Sequence, residues 1–492
     1  MPRAQRLLGM AELAAAAVLL VAPAILPASA WRLTGAHRFV GFSLLAIVAM
    51  HFAWRRRSGD AALGLGSGAA RLGAGDVLLL VAMPIYVVAL GSGRQHTSGD
   101  NAATRLLGPL IVRDRTIDLS RLPEYQSEPL HYSATRIGDR VLPAYPLGTG
   151  LLSVPYAAIA LEASGGDWNT RYINRWEKHF SALVTAATTA LLFLGMRRLA
   201  PEWAAFGAAF VFAFASPVFS SMSQGMWSTT GELFFLCLAL WLVVPEPAGK
   251  LRLVAAGVAV GAAFACRPTA ALAAAVLALG LLVRRRTDFV WYALGAVAGL
   301  AVVCLVQLQL YGHAVGGYGR MERVTWGHTA FEGLLGTLVS PSRGLLPFCP
   351  YVLLIPEAWR RVRPEGALRL WLFGAVLAAA AYYLLAGVFD LWSGGMSIGP
   401  RYMSEAMPFL AILTLPAWLG LRERSLGAAL FVVALAFAAA TQLLSVYTDR
   451  AERANLTLVD DADFFSLRKS QLAAIWCLPC PGEPTGGADE QR

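Results

Sequence analysis

Asp76-Val-Leu-Leu-Leu-Val-Ala-Met-Pro-Ile-Tyr-Val-Val-Ala-Leu90 is followed, after a short polar stretch, by Ser98-Gly99-Asp100. The first segment is apolar enough to run through a bilayer, and the second opens the first long polar stretch of the chain. A lone carboxylate at such a boundary is a candidate for chemistry. Its meaning depends on which side of a membrane it faces.

The surrounding composition establishes that a membrane is involved. Hydrophobic residues make up 57% of 492 positions and charged residues only 15%, against about 25% charged in an ordinary soluble chain. Apolar blocks close to the roughly 20 residues needed for a crossing recur along the sequence. They predict spans near 10–29, 36–53, 76–92, 180–196, 204–222, 228–245, 251–266, 268–283, 288–310, 342–359, 367–388, 404–421 and 425–446. The expected fold is therefore an all-α polytopic membrane protein of about 13 transmembrane helices, and a large soluble multidomain enzyme is a poor fit.

Basic clusters fall in every second connection: Arg55-Arg56-Arg57, Arg197-Arg198, Lys250 with Arg252, Arg284-Arg285-Arg286, Arg360-Arg361 and Arg422 with Arg424. The positive-inside rule places all of them in the cytoplasm. Asp100, its loop over 93–179 and the tail 447–492 are then extracytoplasmic. The net charge of +10 is absorbed by these anchors and calls for no nucleic-acid partner. The first span has a second reading, a signal peptide cut at Ala28-Ser29-Ala30, which leaves the side of Asp100 unchanged. Cys237, Cys266, Cys304 and Cys349 read as small apolar residues of spans. Cys477-Leu-Pro-Cys480 is placed to close a local disulfide outside, and a metal role there lacks a second ligand pair.

The connection 93–179 is long where most others are short, and long ordered loops between spans carry function. Within it Ala102–Val112 predicts a short helix, and Thr149–Leu161 is too short for a crossing and reads as a helix at the outer interface. Three arginines break the cytoplasmic bias: Arg267 before Pro268-Thr269, Arg343 in Ser340-Pro-Ser-Arg-Gly344, and Arg401 in Gly399-Pro-Arg-Tyr402. Arginine at an apolar boundary is costly unless paired or hydrated, and its planar fork suits a phosphate. Snorkelling, or pairing with Glu405 or Asp390, is the competing reading.

The order of motifs resembles the GT-C superfamily of integral-membrane glycosyltransferases, in particular the bacterial branch related to protein mannosyltransferases and the aminoarabinose transferase of lipid A. The residues that carry it are Ser98-Gly99-Asp100-Asn101 with Arg105, Tyr145-Pro146-Leu147-Gly148, Lys178-His179, Ser223-Gln224-Gly225-Met226-Trp227, Arg267-Pro268-Thr269, Ser340-Pro341-Ser342-Arg343-Gly344, and Trp392-Ser393-Gly394-Gly395 leading to Gly399-Pro400-Arg401-Tyr402. They run from about residue 76 to 421. Two departures stand out: Asp100 is followed by Asn101 where many members carry a second acid, and the hairpin 1–75 precedes the core 76–446 as an accessory element.

The resemblance implies a GT-C-type bundle with a large catalytic first loop, in a bacterial plasma membrane with an extracytoplasmic site. It also implies a polyprenyl-phosphate-linked sugar as donor and a cell-envelope glycolipid, polysaccharide or protein as acceptor. Such transfer needs a base for the acceptor proton and positive charge for the departing phosphate. Asp100 is the candidate base, with an N-cap to the following helix as its competing reading. Arg401, Arg343, Arg267 and Arg105 are the phosphate candidates. Tyr145, His179, Gln224, Trp392 and Tyr402 are expected to line the substrate cleft, while Trp227 and Trp392 also fit interface anchors. His96 and His131 share the loop with Asp100, but no zinc-type spacing, glycine-rich phosphate loop or Gly-x-Ser-x-Gly motif is present. No cofactor is implied, and a divalent metal is left open. A flippase of lipid-linked glycan, or a non-catalytic assembly subunit, is the alternative function; a flippase needs polar groups deep in the spans and reachable from both faces.

Overall fold

The computed structural model describes residues 72–93, 98–166, 170–244, 248–320, 330–389, 391–421, 425–456, 458 and 461–476. The crossings expected at 10–29 and 36–53, His96, Asp390, the clusters Arg55–Arg57 and Arg422 with Arg424, and the Cys477–Cys480 pair lie outside these residues.

The described chain is mostly helical, and six of its helices are long and apolar enough to cross a membrane: Ala74–Gly91, Arg175–Met196, Arg286–Tyr311, Gly366–Val388, Arg401–Gly420 and Leu426–Tyr447. Together they give it the make-up of a multi-pass membrane protein. The expected count of about 13 does not emerge from these residues, because several predicted spans are short or broken. Glu202–Phe214 stops before Ser216-Pro217 and is followed by a wide turn over Val218–Met222. The span expected at 342–359 is three pieces, Leu345–Phe348, Pro350–Leu354 and Ile355–Val362. Pro347, Pro350 and Pro356 explain the breaks, since each lacks an amide donor and crowds the preceding turn. Ser228–Val243, Lys250–Cys266 and Ala270–Arg284 complete the central bundle.

Two helices come closest through glycine. A Cβ on Gly257 would lie 2.2 Å from the Tyr292 carbonyl oxygen, and one on Gly295 would lie 2.1 Å from that of Val254. Helices Lys250–Cys266 and Arg286–Tyr311 therefore pack backbone to backbone, the small-residue contact common between helices in lipid. The other flank of Arg286–Tyr311 faces outward, with Val297, Val302 and Leu305 each more than 60% exposed. Apolar side chains bared in such number are suited to lipid rather than water.

The extramembrane loop is shorter than expected, because the next helix begins at Thr170 rather than near His179. Its first turns look polar, yet Ile173, Trp176 and Phe180 recur at helical spacing and are buried. Inside the loop lie the helix Ala102–Asp114, the paired helices Gly148–Leu152 and Val154–Ala163, and a hairpin of Ala134–Ile137 with Arg140–Pro143. The hairpin departs from the all-α expectation. Asp118 ties it down by accepting from the amides of Ser120 at 3.1 Å and Val141 at 3.0 Å.

The two ends of the bundle differ in chemistry. Arg198 and Arg252, from separate basic clusters, both donate to the Trp241 carbonyl, so those clusters share one end. At the other end Phe464 and the helix Gln471–Trp476 fold back over Ser340–Gly344. Ser340 donates to the Phe464 carbonyl at 2.6 Å, and the Leu472 amide donates to that of Pro341.

Candidate active site

Asp100 sits in a single helical turn, Gly99–Asn101, whose first residue is preceded by Ser98. Ser98 performs the capping, since its hydroxyl accepts from the Asp100 amide at 3.3 Å. The carboxylate of Asp100 is thus spent on other partners. Its Oδ1 accepts from the hydroxyls of Tyr145 at 2.8 Å and Tyr132 at 3.1 Å, and its Oδ2 accepts from Arg401 Nη2 at 2.6 Å.

Each partner is brought there by an identifiable local device. A Cβ on Gly99 would meet the Tyr132 hydroxyl at 2.2 Å, so only glycine lets that ring lie across the turn. Tyr145 is positioned by the segment that follows it. A Cβ on Gly148 would lie 2.5 Å from the backbone of Ala265 and Cys266, which seats the loop directly on the end of helix Lys250–Cys266. On its other side Tyr145 meets Tyr318 edge-on, with ring centres 5.8 Å apart. Arg401 hangs from a turn with left-handed glycines at 394, 395 and 399 (φ 73°, 61° and 58°), and its Nη1 donates to the Gly394 carbonyl at 3.2 Å.

The guanidinium of Arg401 also lies over the ring of Trp227, 3.7 Å from its centre. Cation–π contact of this kind is worth about 2 kcal/mol or more when desolvated. Trp227, which also fitted an interface anchor, here forms one wall of the site and is only 4% exposed. Arg401 Nε is buried without a hydrogen-bond partner among the described residues. One donor of the guanidinium is therefore unused among the described residues.

The electrostatics follow from this packing. Burial alone would raise the Asp100 carboxyl, but the Arg401 charge and the hydrogen bonds from Arg401, Tyr145 and Tyr132 outweigh it and hold the group below its ordinary value. Tyr132 moves the opposite way, to about 12, through burial and then the Asp100 charge. Tyr145 is raised for the same reasons. Both phenols stay protonated at neutral pH and act as donors. Tyr132, 44% exposed, marks the open side of the site.

The other arginines are committed elsewhere. Arg267 pairs with Glu405 at 2.7 Å, the competing reading of its sequence position, and its guanidinium lies 5.7 Å from the Tyr402 ring centre. Tyr402 is equally close to Arg401, at 5.6 Å, and joins the two arginines through one ring. Arg343 turns inward, donating to the carbonyls of Ser397 and Gly395 at 2.8 Å and to Asn455 Oδ1 at 2.7 Å. It braces the turn that carries Arg401. Arg105 lies 3.7 Å from the fully buried Glu177, which accepts from the Met226 amide next to Trp227.

Three expected cleft residues have internal partners. His179 Nδ1 is 3.3 Å from the Tyr86 hydroxyl, Gln224 accepts from Lys178 at 2.9 Å, and Trp392 is packed against Phe464 and Phe465 of the tail. The centre that assembles is Asp100, Tyr132, Tyr145, Trp227, Arg401 and Tyr402. Tyr132 was missed by sequence reasoning, as were Glu177 and Asn455. His131 stacks on Tyr132 and bonds Ser133 at 2.8 Å, so it supports the ring rather than the carboxylate. No group of three His, Cys, Asp or Glu among the described residues could hold a metal ion.

This arrangement defines a carboxylate–arginine–aromatic site at the loop end of a helical membrane body. No protein-family model and no curated protein sequence matches the chain. Among solved structures it is similar to the oligosaccharyltransferase of Archaeoglobus fulgidus, in complex with zinc and sulfate, at 14% identity and a TM-score of 0.40. The match covers 82% of this chain and 59% of that one, so the chain spans about three fifths of the neighbour's length. A likeness this distant transfers no activity.

Proposed function

We propose that the chain is a membrane glycosyltransferase that moves a sugar from a polyprenyl-phosphate-linked donor to a cell-envelope acceptor on the extracytoplasmic face. The observation that carries this reading is the 2.6 Å contact of Arg401 with Asp100 beside an Arg401 nitrogen that has no hydrogen-bond partner among the described residues. A cation with a spare donor, next to a carboxylate, supplies the two charges that transfer from a phosphate requires.

In the resting protein the pair is closed. The donor's phosphate competes with Asp100 for Arg401, using Nε and Nη2 in the two-pronged contact that suits a guanidinium. Loss of the arginine removes the largest of the influences that lowered the Asp100 carboxyl, so the carboxylate becomes a stronger base when donor is present. The acceptor oxygen then attacks the anomeric carbon, the carbon–oxygen bond to phosphate breaks, and the acceptor proton passes to Asp100. Arg401 holds the released phosphate, while Tyr132 and Tyr145 keep the carboxylate in place. A phosphate leaving group needs no strong acid, so the two-carboxylate arrangement of hydrolases is unnecessary.

The direct test is Asp100→Asn in reconstituted membranes supplied with polyprenyl-phosphate sugars, together with glycan and glycolipid comparison of a deletion strain. Asparagine keeps the size and the hydrogen bonds from the tyrosines but takes no proton. Transfer should fall by about 10²–10⁴, the range for a positioned base, with insertion unchanged. Transfer at the wild-type rate would leave a flippase or an assembly subunit as the better reading.

A further inference from the structure

Far from Asp100, an apolar groove of about 230 Å³ opens between helices Ala270–Arg284 and Gly366–Val388, floored by Phe409 and Ile412. About 21 Å of helix, at 1.5 Å per residue, separates its mouth at Arg284 from the Arg267 end where the candidate active site lies. The groove belongs to no part of the chemistry described above.

Two glycines keep it open. A Cβ on Gly280 would meet nothing within 4 Å, and one on Gly374 would meet only Val276, at 3.8 Å. Gly257 and Gly295 have a packing reason to lack a side chain; Gly280 and Gly374 have none among the described residues. Glycine is a poorer helix former than alanine, so open space at these two positions suits an occupant from outside the chain. The lips are apolar and face outward, with Leu279, Val283, Phe373 and Leu377 between 47% and 73% exposed. They would be wetted by lipid chains in a membrane.

The mouth is cationic. Arg284 and Arg285 line it, Arg369 lies over the ring of Phe373 at 5.6 Å, and Asp288 is the one acid in the lining, 4.0 Å from Arg285. An apolar slot closed at one end by positive charge matches an acyl chain under a negative headgroup. We propose that the groove holds one chain of an anionic phospholipid of the adjoining leaflet, with Arg284 and Arg285 on its phosphate.

The full chain should be purified, placed in nanodiscs containing phosphatidylglycerol and excess phosphatidylcholine, extracted into mild detergent, and weighed by native mass spectrometry. The wild type should retain one phosphatidylglycerol. Gly280→Phe, which fills open space, should lower that retention about tenfold or more, equivalent to about 1.4 kcal/mol. Gly374→Leu, from the facing helix, should do the same and guards against a folding defect in the first variant. Arg284→Gln with Arg285→Gln should still retain lipid but without preference for the anionic one. Equal retention by both filled variants and the wild type would overturn the site. So would wild-type indifference to headgroup charge, or retention of an added isoprenyl phosphate in place of phospholipid.

Discussion

Arg401 and Asp100 are 301 residues apart in the chain and meet at 2.6 Å, which makes the pair sensitive to both pH and substitution. The folded Asp100 carboxyl lies below its ordinary value, about 3.9 for an unperturbed aspartate. The stability it contributes is therefore complete above that ordinary value, and is lost as pH falls through the lower folded one. If donor draws Arg401 away, the acid limb of kcat should lie at higher pH than the acid limb of kcat/KM, because the first reports the bound complex and the second the free protein. Coincident limbs would argue that Arg401 never leaves. Charge-assisted contacts are worth about 1.5–3 kcal/mol, so Arg401→Ala should weaken donor use by roughly ten- to a hundredfold. Arg401→Lys should recover only part, since lysine has no two-pronged contact; donor titration of both variants decides it. Asp100, Tyr145 and Arg401 were legible because each stands at the edge of an apolar block beside Gly or Pro. Tyr132 was not, lying in a polar run with no periodicity; the clue was Gly99, whose missing side chain makes room for that ring.

At the scale of elements, glycine has two opposite uses, and they predict opposite mutational outcomes. Gly295→Ala forces a methyl to within 2.1 Å of the Val254 carbonyl oxygen, so the helix pair must spread. Overpacking of this kind costs about 1–3 kcal/mol, visible as a lower melting temperature in detergent. Gly280→Ala meets open space and replaces a poor helix former with the best one. It should leave melting unchanged or raise it. Equal losses from the two substitutions would contradict the packing described. Long uninterrupted apolar helices such as Gly366–Val388 and Leu426–Tyr447 were readable from hydropathy alone. Hydropathy averages over a window, so it did not see that three prolines break 342–359. Nor did it see that Ile173, Trp176 and Phe180 carry the helix back to Thr170. The hairpin was signalled only by Gly138-Asp139 between two four-residue strands, with Gly138 at φ 58°.

Over the whole molecule, Arg198 and Arg252 of two basic clusters share one end of the bundle, and the alternation of basic clusters in the sequence predicts an orientation that labelling can check. A cysteine at Ser127, in the exposed loop, should react with an impermeant maleimide on intact cells, and one at Arg360 should react only after lysis. The reverse pattern would turn the protein over and put Asp100 inside. The return of the tail was not legible, because Asn455 and Gln471 are isolated polar residues whose partners, Arg343 and the turn 394–399, lie far upstream. That closure has a consequence for synthesis. Arg343 waits for Asn455, which leaves the ribosome 112 residues later, or about 6–22 s at 5–20 residues per second. During that interval the helices of the bundle can enter the membrane while the turn holding Arg401 has its contacts from Arg343 but lacks those from Asn455 and Gln471. A nascent chain interrupted after Tyr447 would thus be inserted yet unfinished, recognisable to membrane proteases by a loose turn rather than by a missing span.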